Sequence, residues 1–87
     1  MKYLFHKNFE KQLRKLPNRS QEQFYERLRV FSVNPLAVPL RNHILHGTHR
    51  GSYSIDIGGD IRAIYVMVGD HTAQFTHIGT HHQLFGT

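Results

Sequence analysis

The sequence predicts an α+β domain: an N-terminal strand, a two-helix hairpin, then antiparallel strands in one small twisted sheet. Three observations predict it. The chain has 87 residues, enough for one core and one domain over 1–87. Apolar residues recur at helical spacing as far as residue 31, then alternate with period two from about residue 50. Between the two regimes lies a stretch holding Pro35, Pro39, Asn42 and Gly47, with little periodicity.

Taken in order, residues 2–6 read as a short strand. Phe9, Leu13 and Leu16 share one helical face, with Lys and Arg on the others. Pro17 ends that helix. Asn18 with Gln21, or equally Ser20 with Gln23, has the spacing of a capping box for a second helix. Phe24, Leu28 and Phe31 line its buried face, and Asn34-Pro35 stops it. Residues 35–49 read as a loop. Tyr53, Ile55 and Ile57 alternate with Ser52, Ser54 and Asp56, the pattern of a half-buried strand. Gly58-Gly59-Asp60 is a turn, and Ile61 to Val68 is a central strand interrupted only by Arg62. After the Gly69-Asp70-His71 turn, Thr72 to Ile78 forms a third strand, and residues 79–85 an exposed tail. Helices packed on one sheet face leave the other partly open to carry a site.

Composition narrows the chemistry. The chain has no Cys, which excludes disulfides, thiolate metal sites and cysteine nucleophiles. No apolar run is long enough to span a membrane, and the first residues turn polar too soon for a signal peptide, so a cytoplasmic protein with no membrane partner is expected. Eleven Lys and Arg oppose six Asp and Glu, a formal charge of +5. The excess is uneven: residues 1–41 hold nine of the cations and three of the acids, whereas seven of the eight histidines follow residue 42. The first part suits docking to a polyanion or an acidic protein; the second suits acid–base chemistry.

Several residues stand out. Arg62 interrupts the most apolar strand, so it either faces an anion on the open sheet face or is held by Asp56 or Asp60. Asp60 suits either a turn or an acid–base role. The histidines fall into two groups, His43/His46/His49 and His77/His81/His82. Paired imidazoles beside a cation fit phosphodiester cleavage by the substrate's own 2′-hydroxyl, which needs neither metal nor cofactor. A histidine zinc site is the competing reading. Arg41 and Arg50 flank the loop and can bind phosphate. Tyr53, Tyr65, Phe75 and Phe85 can stack on bases, although Tyr65 and Phe75 suit the core better. His6 and His71 read as inert.

Four segments, in order, resemble the RelE/ParE toxin superfamily, and most of all its YafQ-like branch. Met1-Lys2-Tyr3 with Phe9 to Leu16 resembles the first strand and basic first helix. Asn42-His43-Ile44-Leu45-His46-Gly47 with Gly51 resembles the branch's D-H-x-L-x-G-x-x-x-G. Asp60-Ile61-Arg62-Ala63-Ile64-Tyr65 resembles its D-x-x-x-I-Y and R-x-x-Y signatures, and Gly79 to Phe85 its G-S/T-H-x-x-L-F. The resemblance implies a type II toxin that cleaves mRNA in the ribosomal A site, with a cognate antitoxin laying an acidic or amphipathic segment over it. Operator DNA would be bound only in complex with that antitoxin. It implies catalytic roles for His43, Asp60 and His81, phosphate stabilisation by Arg62, and substrate positioning by Phe85. RNA or phosphate contacts are expected from Arg41, His46, His49, Arg50 and His82. Two positions depart from the branch: its strand histidine falls on Asp56 and an aromatic residue on Ile61. His46, His49 or His82 are candidates to compensate. The ParE side of the superfamily implies DNA gyrase inhibition instead, and the departures imply a catalytically weak homologue acting mainly by binding its antitoxin.

Overall fold

The computed structural model describes residues 1–86. Strand β1 (Lys2–Phe5) leads into helix α1 (Lys7–Arg14) and helix α2 (Asn18–Val33). Strands β2 (His43–Ile44), β3 (Tyr53–Gly58), β4 (Ile61–Met67) and β5 (Thr72–Thr80) follow, and helix α3 (His81–Phe85) closes the chain. The five strands run in the order β1-β5-β4-β3-β2, with β1 parallel to β5 and every other pair antiparallel. This is the expected α+β architecture. α1 lies over β5 and α2 over β3, on one face of the sheet.

The core is aromatic. Phe75 is fully buried, and its ring lies 5.4–6.1 Å from those of Phe5, Phe9, Phe24, Phe31 and Tyr65. Tilted and edge-on contacts of this kind add to simple area burial. Phe9 meets Phe24 at 5.1 Å and so joins the two helices.

Neither proposed capping box forms at α2. Pro17 occupies the cap position with no side-chain bond, and Gln21 instead donates from Nε2 to the carbonyls of Leu16 (2.9 Å) and Arg14 (3.4 Å). Those carbonyls lie at and just beyond the end of α1, where intrahelical partners run out, so Gln21 joins the two helices rather than starting one. The expected loop over 35–49 also contains structure. His43 and Ile44 pair with Ser54 and Tyr53 as an edge strand, secured by Asn42, whose Nδ2 donates to the Pro35 carbonyl (2.9 Å) and whose amide bonds the Tyr65 hydroxyl. The expected tail is likewise ordered: residues 79–80 extend β5, and 81–85 are helical. Thr80 Oγ1 accepts from Gln83 N–H while Gln83 Oε1 accepts from Thr80 N–H, a full capping box.

β5 breaks the period of two. Ala73 and Phe75 point into the core, but the next buried apolar residue is Ile78. Tyr65 opposes Phe75 whereas Ile64 opposes His77, so Thr76 is one extra residue, a β-bulge. The bulge is held from outside the sheet: Asn8 Nδ2 donates to the Thr76 carbonyl (3.3 Å) and Gln12 Oε1 accepts from Ile78 N–H (2.9 Å).

The face away from α1 and α2 is partly roofed. Ser54 and Ile64 belong to it by register, yet both are buried. The cover is the segment around His49 together with α3: His49 Nε2 donates to the Leu84 carbonyl at 3.1 Å. Ser54 Oγ is left buried with no hydrogen-bond partner, which costs about 1–3 kcal/mol. Replacing Ser54 with Ala is therefore expected to be neutral or stabilising by up to about 1 kcal/mol in urea denaturation; a clear loss of stability would show that the hydroxyl is satisfied.

Candidate active site

Cross-strand partners share a sheet face, so register alone places the polar groups. His43, Ser54, Ile64 and His77 form one row across β2, β3, β4 and β5. Asp56, Arg62 and Gly79 form the next. Both rows lie opposite the aromatic core.

Arg62 takes the paired alternative. Its Nε lies 3.0 Å from Asp56 Oδ1, and both side chains are only about one-fifth exposed (22% and 19%). Its Nη1 donates to the carbonyls of Gly59 and Ile61, both at 3.3 Å. The Nη2 group has no partner among the described residues and remains available to an anion. Arg41 approaches the other carboxylate oxygen of Asp56 at 3.8 Å and is 77% exposed. Its backbone is left-handed (φ 48°), unusual for a residue with a Cβ. Asp56 thus lies between two guanidinium groups.

Asp60 and His81 meet at the end of the sheet. Ile61 opposes Thr80, and His81 N–H donates to the Asp60 carbonyl at 3.1 Å. The Asp60 side chain is exposed at the β3–β4 turn. Phe85, one helical turn beyond His81, places its ring 4.8 Å from the His81 imidazole and 5.5 Å from that of His49. Phe85 is half-buried rather than the end of a free tail, because it closes the roof over the sheet. Among the aromatic residues considered for base stacking, Tyr65 and Phe75 are core and Tyr53 stacks on Tyr65 at 5.2 Å on the helix side, leaving Phe85.

His43 is brought to the same face but not to the same place. Three strand spacings, roughly 14 Å, separate β2 from β5. His43 Nδ1 lies 2.7 Å from the Arg41 carbonyl, which only accepts, so Nδ1 carries a proton. His46 and Arg50 flank the short helical turn Gly47–His49, and both are exposed, as is His82 on α3. No three His, Asp or Glu side chains among the described residues converge at metal-ligand geometry, so the histidines do not build the zinc centre considered from their spacing. No helix among the described residues is long and apolar enough to cross a membrane.

His77 groups by sequence with His81 and His82 as a candidate acid–base residue, but strict alternation along β5 would set it on the same side as Phe75. The bulge turns it outward. Its Nδ1 is 3.0 Å from Thr76 Oγ1, and its ring meets His49 edge-on at 5.8 Å. Its pKa lies below the ordinary histidine value, first because burial disfavours the charged form, then because His49 and His6 repel it. The one signal available in the sequence is the spacing of the buried positions, Ala73, Phe75 and then Ile78.

No family model matches the chain, and no curated protein matches it. Solved structures do. YafQ from E. coli superposes with a TM-score of 0.80 at 22% identity, over 97% of both chains. The YoeB/ParE toxin from Agrobacterium tumefaciens gives 0.75 at 19% identity, over 93% of this chain and 99% of that one. The toxin–antitoxin complex RelBE2 from Mycobacterium tuberculosis gives 0.74 at 23% identity, over 91% and 95%. The chain therefore has the RelE/ParE toxin fold; identities this low do not distinguish one branch from another.

The lowered pKa of His77 has a consequence for stability. Between that value and about 6.5, the unfolded chain binds more protons at this residue than the folded one. Its contribution is whole above about pH 6.5 and declines as pH falls through that window. Thermal unfolding between pH 7.5 and 5 should show a falling Tm, and His77→Gln should flatten that fall. Parallel curves for the two proteins would remove His77 as its source.

Proposed function

We propose that this chain is the toxin of a type II toxin–antitoxin pair, a YafQ-like endoribonuclease that cleaves mRNA on the ribosome. The fold is shared with YafQ and with proteins described as toxins, one of them in a toxin–antitoxin complex. What supports the nuclease reading is that Asp60 and Arg62 at the start of β4 lie beside the end of β5, where His81 N–H donates to the Asp60 carbonyl and the Phe85 ring lies against that of His81. A planar cation beside imidazoles serves transfer at phosphorus, where negative charge develops on the oxygens and two protons must move.

In this reading the substrate 2′-hydroxyl attacks the adjacent phosphorus, Arg62 stabilises the developing charge, and His81 protonates the departing 5′-oxygen. His43 and Asp60 complete the acid–base candidates. Phe85 stacks on a base. Arg41, His46, His49, Arg50 and His82 would then be the groups for the RNA backbone. The basic half of the chain, residues 1–41, suits ribosomal RNA and an acidic antitoxin segment alike. Operator DNA would be met only as the toxin–antitoxin complex, in the cytoplasm.

Purified chain added to a translating extract should cut mRNA at defined positions. His81→Ala should lower the rate by about 10²–10⁴-fold, the usual contribution of a positioned proton donor. Unchanged cleavage by that variant would refute the assignment. Inhibition of gyrase supercoiling that survives the same substitution would instead favour the ParE-like alternative.

One observation favours a weak toxin: Asp56 occupies Arg62 and Arg41 in the free chain. A phosphate must compete with that carboxylate. Asp56→Asn should therefore tighten single-stranded RNA binding several-fold. It should also steepen the slope of log K against log salt by about 0.7 for each cation released. An unchanged slope would show that Asp56 does not mask these cations.

A further inference from the structure

Arg62 lies opposite Gly79 on β5, and the residues two positions to either side of Gly79 are His77 and His81. A side chain at position 79 would bring its Cβ within 2.7 Å of Gln83 Oε1, so the glycine is required where the capping side chain lies against the strand. His77 is a diagonal neighbour of Arg62 on the same face, about 7–8 Å away between Cα atoms. That is within joint reach of one phosphodiester. His43 on β2 stands two strands from Arg62 and three from His77.

We propose that His77 is a catalytic residue, the proton acceptor for the attacking 2′-hydroxyl, acting across Arg62 from His81. The proposal rests on the ribonuclease reading and deepens it.

The hydrogen bonds set the tautomer. Thr76 Oγ1 donates to the Ile64 carbonyl at 3.4 Å, so the same oxygen accepts from His77 Nδ1–H. Nε2 is then the atom with a lone pair, the form a base requires. His49 acts as a positioning residue. Its Nε2–H is held by the Leu84 carbonyl, and its ring touches both His77 and Phe85. The rings of His77, His49, Phe85 and His81 form a continuous series of contacts along the edge of the site. The charged and titratable groups around His77 are His6 from the end of β1, His49 from the covering segment and Arg62 from β4. Burial first, then repulsion from His49 and His6, holds the His77 pKa below the ordinary histidine value and favours the neutral ring.

The step balances without an added reagent. The 2′-hydroxyl proton passes to His77 Nε2 as the 2′-oxygen bonds to phosphorus. The P–O5′ bond breaks, and the 5′-oxygen takes a proton from His81. The products are a 2′,3′-cyclic phosphate and a 5′-hydroxyl.

The test is the pH–rate profile of single-turnover cleavage of one mRNA by the full chain, with ribosomes supplied. The wild-type rate should fall on the acidic side as His77 takes up a proton. His77→Gln should lower the rate by about 10²–10⁴-fold and remove that acidic limb, with RNA binding held within about two-fold. His71→Gln, in an exposed turn, should match the wild type. Adding imidazole to His77→Ala should restore part of the rate, which a purely structural role would not permit. Cleavage by His77→Gln at the wild-type rate with its acidic limb intact overturns this inference alone. A wild-type chain that cuts no RNA overturns the ribonuclease reading and this inference with it.

Discussion

The extra residue in β5 is the constraint on which the arrangement depends. Phe75 must enter the aromatic core, and Ile78 must fill the same core three residues later. An uninterrupted strand cannot satisfy both, because alternation would turn Ile78 to the other face. The bulge at Thr76 reconciles them, and its exposed backbone groups are taken up by Asn8 and Gln12 of α1. A polar consequence follows from this apolar demand: His77 leaves the core and faces the row that holds Arg62. Core packing and site geometry are thus set by one local irregularity.

The second organising interaction is electrostatic. Arg62 in an apolar strand is tolerable because Asp56 lies directly across from it on β3. The same carboxylate draws Arg41 toward the strand end. In the free chain this group of charges is nearly satisfied, and only part of the Arg62 fork is open to a new anion. RNA binding at this face is then an exchange of one anion for another. That makes it sensitive to salt and to whatever acidic segment competes for the same guanidinium groups.

Much of this was legible in the sequence. Helical spacing through Phe31 and alternation from Tyr53 located both helices and the three main strands. The turn at Gly58-Gly59-Asp60 and the strand position of Arg62 were legible in the pattern, whereas the roles of Asp60, Arg62, His81 and Phe85 came from the resemblance. Non-local pairing was not legible. His43 and Ile44 become a strand only because β3 offers an edge, and nothing local marks them. The Gln21 side chain satisfies carbonyls of the preceding helix, a contact that looks like a capping box when read within α2 alone. The Thr80/Gln83 box was present in the sequence but lay in what read as a tail. The face that His77 takes was not legible either, because nothing local marks the bulge at Thr76.

The most direct measurement of the central claim is the titration of the His77 ring by NMR, first alone and then with a non-cleavable RNA in which the 2′-hydroxyl at the cutting site is replaced by hydrogen. In the free chain the His77 pKa should lie below about 6.5. It should shift upward when a phosphodiester binds at Arg62, because the new negative charge favours the imidazolium. An unshifted His77 that titrates identically with and without RNA would contradict the claim that the bulge delivers this histidine to the phosphate site.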